Sequence, residues 1–212
     1  MLCLFDLDGT LIDSEQGIFA CIRYALAQMD VAAPDATALR TWIGPPLHHS
    51  FAPLLDNNEA HISAAITHYH KRFKATGWGE YAVYSGVAEL IERLQKHGNQ
   101  LAVVTSKPKV HALPIINRLS FGAAFERVYG PELNGAHCGK AAMIASALND
   151  FSATASITSM IGDRRFDMEG ACANAVRGIG VAWGFGSREE LEQSGASAIA
   201  ATPTELSELL LA

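Results

Sequence analysis

The chain opens MLCLFDLDGTLIDS, residues 1–14, where an apolar run meets two carboxylates two positions apart, Asp6 and Asp8, and then Gly9 and Thr10. Leu2 to Leu7 reads as a short buried strand of a parallel sheet, whose strands are covered on both faces and so lack alternation. In a strand, positions i and i+2 face the same side, so Asp6 and Asp8 project together if the strand continues that far. Just past the carboxyl end of a central parallel strand lies the crevice in which open α/β sheets bind ligands. A bare DxD is also explained by a capping or turn role for one aspartate, so the rest of the chain must decide.

Four later segments share the look of the first: LAVVTS at 101–106, FERVYG at 125–130, SITSMIGD at 156–163 and RGIGVAWG at 177–184. They alternate with helical patterns such as VAELIERLQKHG at 87–98, closed by Gly98, and AAMIASALND at 141–150. This alternation predicts an α/β fold, a doubly wound, Rossmann-like parallel sheet with helices on both faces. The alanine-rich tail ASAIAATPTELSELLLA reads as a last short strand and a closing helix.

The stretch from 15 to 81 breaks the pattern. GIFACIRYALAQM, DATALRTWIG, PPLHHSFAPLL and EAHISAAITHYHKRFKATG carry apolar residues at helical spacing. Pro34 with Asp35, and Gly44-Pro45-Pro46, divide them into separate helices. The expected organisation is a core domain of residues 1–14 and 82–212 and a small all-helical domain, 15–81, inserted after the first strand. WGEYAVYSG at 78–86 carries the chain back to the sheet.

With 212 residues, 49% apolar and 18% charged, the chain can bury a core without disulfide or metal staples. A net charge of −6 and no Lys/Arg-rich run argue against a nucleic-acid polymer as partner. Cys3, Cys21, Cys138 and Cys172 form no CxxC pair and are expected to be buried free thiols of a reducing compartment. No signal-peptide pattern precedes the first strand and no apolar stretch reaches membrane-spanning length, so the expected setting is cytoplasmic.

SITSMIGDRRFDMEGA, 156–171, places Asp163 directly after another apolar run and Asp167 four residues on, in the first turn of a following helix. Gly162 suits a tight strand-to-loop turn there. Carboxylates converging on the ends of neighbouring strands repel one another unless a hard cation neutralises them, and oxygen-only ligation suits Mg2+. Such a cation can bind a phosphate oxygen and act as a Lewis acid on phosphorus. LAVVTSKPK then supplies Thr105 and Ser106, a hydroxyl and amides able to hold an anion where the next helix opens. Lys107 follows, and Lys140 opens a later helix; the residues alone do not choose between these lysines.

FDLDGTLIDS (5–14), VVTSK (103–107), the segment opening at Lys140, and MIGDRRFDMEGA (160–171), in that order, resemble the four motifs of the haloacid dehalogenase superfamily of aspartate-nucleophile phosphohydrolases. The helical insert matches the position of that family's cap. GPELNGAHCGKAAMIASAL and VAWGFGSREEL look most similar to its phosphoglycolate phosphatase-like and 5′-nucleotidase-like branch. The resemblance implies that Asp6 attacks phosphorus to form an aspartyl-phosphate, and that Asp8 protonates the leaving alkoxide and then activates water. It implies that Asp6, the Asp8 backbone carbonyl and Asp163 hold Mg2+, with Asp167 orienting water or lysine behind them. Thr105, the Ser106 amide and Lys140 would bind phosphate, with Lys107 as the competing lysine. Gly9 and Thr10 fit the family's turn after the nucleophile, where a hinge opens and closes the cap.

The implied activity is a Mg2+-dependent phosphomonoesterase acting on a small phosphorylated metabolite, as a monomer or weak dimer. A phosphomutase of the same family would carry basic residues in the stretch corresponding to WIGPPLHHS, which has none beyond Arg40 just before it. A dehalogenase would not need Asp8, and a phosphonate hydrolase would need a Schiff-base lysine where Lys71 and Lys74 sit in a hydrophilic pattern. A non-catalytic phosphate-binding protein is disfavoured by the complete set of side chains. The resemblance implies that specificity residues lie in the cap's loops, which puts Trp42, Gly44, His48 and His49 at the question of substrate choice. His48, His49, His61, His68 and His70 fit no metal-ligand spacing and read as solvated helix faces.

Overall fold

A computed structural model describes residues 1–133 and 139–212; Cys138 lies outside the described residues. From the N-terminus, β1 (Leu2–Phe5) and the two-residue β2 (Ile12–Asp13) lead into four helices. These are α1 (Glu15–Ala27), α2 (Ala36–Arg40), α3 (Leu47–Phe51) and α4 (Glu59–Ala75). Then come β3 (Ala82–Val83), α5 (Val87–Lys96), β4 (Gln100–Val104), α6 (Lys109–Ile116) and β5 (Arg127–Tyr129). They are followed by α7 (Lys140–Asp150), β6 (Thr158–Gly162), α8 (Arg165–Ala173) and β7 (Arg177–Val181). α9 (Arg188–Gln193), β8 (Ala198–Ala200) and α10 (Pro203–Leu211) end the chain.

Two compact units result, Met1–Asp13 with Val83–Ala212, and Ser14–Ala82. The first holds a six-stranded sheet in the order β5-β4-β1-β6-β7-β8, every pairing parallel. β1 lies inside it, with Phe5 level with Val103 of β4 and Ile161 of β6. All four of its residues are buried, as the absence of alternation predicts for a strand covered on both sides. Leu2, Leu4, Ala102, Val104 and Met160 face one side, where Met143, Ile144 and Ala147 of α7 and Ala171 of α8 complete a core cluster. Phe5 points the other way and meets Phe125 edge-on, ring centroids 6.0 Å apart. The α5 stripe Val87, Leu90, Ile91 and Leu94 is buried at helical spacing, and α10 packs on that helix.

The chain order reverses across β1: β4 and β5 build outward on one side, then β6, β7 and β8 on the other. That switch opens a crevice at the carboxyl end of β1. The strand stops earlier than the sequence pattern suggests. The Leu7 carbonyl accepts from the amides of Thr10, Leu11 and Ile12, folding the chain into a turn, and Asp8 keeps only an isolated bridge to Ile12.

The second unit is helical. Ile18, Cys21, Ile22, Ala25 and Leu26 of α1 and Ile62, Ala65, Tyr69 and Phe73 of α4 are the buried stripes, and these two helices pack together. Asp35 caps α2 by accepting from the Ala38 amide, and Asn58 caps α4 by accepting from Ala60 and His61. Arg72 grips Glu80 through two hydrogen bonds, 2.8 and 3.0 Å.

Cys3 and Cys21 are buried thiols, and burial pushes the Cys3 pKa up to about 12, which keeps it protonated. Cys172 corrects the expectation of burial. α8 turns Met168, Gly170 and Ala171 inward, which leaves Cys172 exposed. Among the described residues no helix is long and apolar enough to cross a membrane.

Leu4→Ala, at a fully buried position of β1, is expected to cost about 2–5 kcal/mol in denaturant unfolding. Ile157→Ala, at a position 54% exposed beside β6, should stay within about 0.5 kcal/mol of the parent.

Candidate active site

Asp6, Thr105 and Asp163 each stand one residue beyond the carboxyl end of β1, β4 and β6, which are neighbours in the sheet. All three are buried. The Asp6 amide still donates to the Ile161 carbonyl at 2.9 Å, which keeps its side chain at the sheet edge. Asp167 sits in the first turn of α8 and joins Asp6 and Asp163 in a group whose ligand atoms lie within 4.8 Å of one another.

Lys140, the first residue of α7, reaches this group with its side chain only 5% exposed. Its ammonium stands 2.8 Å from Asp6 Oδ1, 2.5 Å from Asp167 Oδ1 and 2.8 Å from the Val104 carbonyl. The Asp6 contact is an ion pair at a buried oxygen, Oδ1, that has no other partner among the described residues. Burial pulls the Lys140 pKa down, but Asp167 and Asp6 outweigh it and hold it above the usual lysine value. Both Asp167 oxygens are occupied, Oδ1 by Lys140 and Oδ2 by the Arg164 amide at 3.1 Å. Burial pushes the Asp167 pKa up to about 6 against the pull of Lys140.

Asp163 is fully buried, and burial, together with the charges of Asp6 and Asp167, holds its carboxyl well above the usual aspartate range. The Phe185 amide donates to Oδ2 at 2.8 Å, and the Thr10 hydroxyl approaches Oδ1 at 3.4 Å. Backbone packs directly on these carboxylates. A Cβ on Gly9, whose φ is +83°, would stand 2.2 Å from Asp163 Oδ2, and one on Gly184 would stand 2.3 Å from Asp163 Cβ. Gly162 is required for the same reason rather than for a turn. It is extended in β6, and a Cβ there would meet Asp167 Cγ at 2.1 Å.

Three buried carboxylates thus face one ammonium, an imbalance that a divalent cation would offset. Asp6 and Asp163, side by side at the ends of β1 and β6, are the groups that could hold it, while Asp167 is committed to the Lys140 ammonium and the Arg164 amide. Hard oxygen donors of this kind suit Mg2+.

Asp8 does not join the cluster. Its Oδ2 pairs with Lys107 Nζ at 2.9 Å. The two aspartates of the opening motif therefore face different lysines, because the turn at Leu7 ends the strand between them. Thr105 Oγ1 accepts the Lys107 amide at 3.1 Å, which leaves its O–H to donate, and Ser106 follows, half-buried. Two features escaped the sequence reading. One is the Lys107–Asp8 pair. The other is the loop Trp183–Gly186, where the Phe185 amide holds Asp163 and the Trp183 indole N–H donates to the Thr10 carbonyl at 3.1 Å. The glycines at 184 and 186 were the available signal, legible only once the partner of the loop is known.

A family model described as haloacid dehalogenase-like hydrolase matches residues 3–181. A 5′-nucleotidase of Pseudomonas aeruginosa is 42% identical over 188 residues, 89% of this chain and 85% of its own length. Tyrosine-protein kinase PtkA of Mycobacterium tuberculosis is 31% identical over 211 residues, 99% of this chain and 72% of that protein. Among solved structures, one described as a predicted phosphatase from Clostridium acetobutylicum superposes with a TM-score of 0.93 at 37% identity, covering 99% of this chain and 97% of that one.

Added Mg2+ is expected to raise the melting temperature with concentration. Because Asp163 holds its proton more tightly than an ordinary aspartate in the cation-free protein, binding should release protons and weaken as the pH falls. Titration calorimetry in two buffers of different ionisation enthalpy reads this, and identical heats would contradict it. Gly184→Ala, which forces Asp163 aside, should weaken Mg2+ binding about tenfold or more in the same titration.

Proposed function

The chain belongs to the haloacid dehalogenase-like hydrolase family as one of its phosphatases, and on that premise we propose that it is a Mg2+-dependent phosphomonoesterase whose substrate is a small phosphorylated metabolite of the phosphoglycolate or nucleotide kind. The observation that carries this is the alignment of Asp6, Thr105 and Asp163 one residue past three adjacent strands, with the Lys140 ammonium at Asp6. A nucleophile, an anion-binding hydroxyl and a cation-binding carboxylate then share one crevice.

In this reading Asp6 bonds to phosphorus as the bond to the leaving oxygen breaks, giving an aspartyl-phosphate. The electron pair left on that oxygen takes a proton from Asp8. Water then attacks phosphorus, gives its proton to Asp8, and frees Asp6 with inorganic phosphate. The Thr105 hydroxyl and the Ser106 amide bind the oxygens that do not react, and Lys140 holds Asp6 in place while countering phosphate charge. Asp167 acts through Lys140, whose ammonium it orients. Asp6, Asp163 and the Asp8 carbonyl would hold Mg2+, which when bound supplies Lewis-acid neutralisation of the phosphate.

The nucleotide end of the substrate class is supported by the 42% identity to the P. aeruginosa 5′-nucleotidase. A cytoplasmic setting and a monomer or weak dimer complete the proposal; the buried thiols Cys3 and Cys21, which form no disulfide among the described residues, support the first.

The protein should release phosphate from p-nitrophenyl phosphate only with Mg2+ present, and Asp6→Asn should lower kcat about a thousandfold or more. Unchanged turnover in Asp6→Asn would overturn the mechanism. Phosphate binding without turnover in the parent would overturn the enzyme reading. A panel of phosphorylated metabolites ranked by kcat/KM then identifies the substrate.

A further inference from the structure

Lys107 and Asp8 form an ion pair whose side chains are 7% and 12% exposed, with Nζ 2.9 Å from Oδ2. A pair this enclosed is unlike a surface salt bridge, because removing the lysine leaves a carboxylate without its charge partner in a poorly solvated place. Both members are held by their backbones. The Lys107 amide donates to Thr105 Oγ1 at 3.1 Å. The Lys107 carbonyl lies so close to Gly130 that a Cβ there would stand 2.6 Å from it. On the other side, Asp8 is bridged to Ile12, and the Gly9 amide donates to the Ile12 carbonyl at 2.8 Å. The pair therefore joins two hydrogen-bonded turns, one after β1 and one after β4.

The remaining Asp8 oxygen is the informative one. Oδ1 is buried and has no hydrogen-bond partner among the described residues. A buried polar atom without a partner calls for an explanation, and a partner that arrives only with substrate supplies one. We propose that Lys107 is a positioning residue for proton transfer. It fixes Asp8 Oδ2 so that Oδ1 is aimed at the bridging oxygen of the phosphate ester. This rests on the assignment of Asp8 as the proton donor. As the phosphorus–oxygen bond to the leaving group breaks and the bond from Asp6 forms, the electron pair stays on the departing oxygen and the Asp8 proton goes to it. Lys107 gives up no proton and touches no reacting atom. It holds the donor in line, where small displacements cost large factors in rate. The two lysines that sequence could not separate thus act on different aspartates, Lys140 on Asp6 and Lys107 on Asp8.

The need for a proton depends on the leaving group, which provides a test that a structural role would not satisfy. A series of substituted phenyl phosphates is hydrolysed by the parent, Lys107→Met and Asp8→Asn, and kcat/KM, which reports the first chemical step, is compared across the series. Phenyl phosphate releases a basic phenolate that needs the proton; 2,4-dinitrophenyl phosphate releases one that does not. Lys107→Met should lose about tenfold to a hundredfold on phenyl phosphate and less than about threefold on the dinitrophenyl ester. Asp8→Asn should show the same tilt, more steeply. The ratio of two substrates within one preparation does not depend on how much of it is folded, so a destabilised variant still answers. Equal losses across the series in Lys107→Met, or no loss, overturn the role of Lys107 when Asp8→Asn shows the tilt. Absence of the tilt in Asp8→Asn overturns the assignment of Asp8 itself.

Discussion

The site is organised around one electrostatic constraint: three buried carboxylates, Asp6, Asp163 and Asp167, lie beside a single ammonium, that of Lys140. Removing charges from water costs several kcal/mol per ion even after relaxation, and like charges at this separation add to it. The raised pKa values of Asp163 and Asp167 are that cost expressed as proton affinity. Much of the surrounding structure serves to hold the carboxylates where they would not otherwise stay. Glycines at 9, 162 and 184 let backbone close on them, the Arg164 and Phe185 amides donate to them, and α7 begins where its first side chain can enter the group.

The opening motif separates its two acids by a turn rather than by alternation along a strand. Asp6 remains in line with the sheet and with Lys140, and Asp8 swings to Lys107. In the proposed mechanism the separation puts the nucleophile beside Lys140 and the proton donor beside Lys107, two different electrostatic environments. Thr105 stands between the two arrangements in sequence, its oxygen tied to the Lys107 amide and its strand end supplying the Val104 carbonyl to Lys140.

Sequence reading recovered the sheet and named the acids that the structure groups together, Asp6, Asp163 and Asp167, because both are written locally. An unbroken apolar run marks β1, and the residue directly after each of three such runs is Asp6, Thr105 or Asp163. Pairings between distant turns were not legible: nothing in TSK says that Lys107 meets Asp8, and nothing in WGFG says that the Phe185 amide meets Asp163. Gly162 shows the same limit in reverse. Its presence was visible, but the reason for it, the Asp167 carboxylate lying on its Cα, required the helix that follows to be folded back. The helices at 15–81 were readable from their apolar spacing and the prolines that divide them, while no local pattern in them spells a substrate.

The central claim is that Asp6 carries the phosphoryl group, and an acyl phosphate leaves a chemical mark. Enzyme quenched during turnover of a phosphate monoester and reduced with borohydride should yield a peptide with homoserine at position 6, identified by mass spectrometry. Reduction at another acidic residue, or an unmodified Asp6 during steady turnover, would contradict the account.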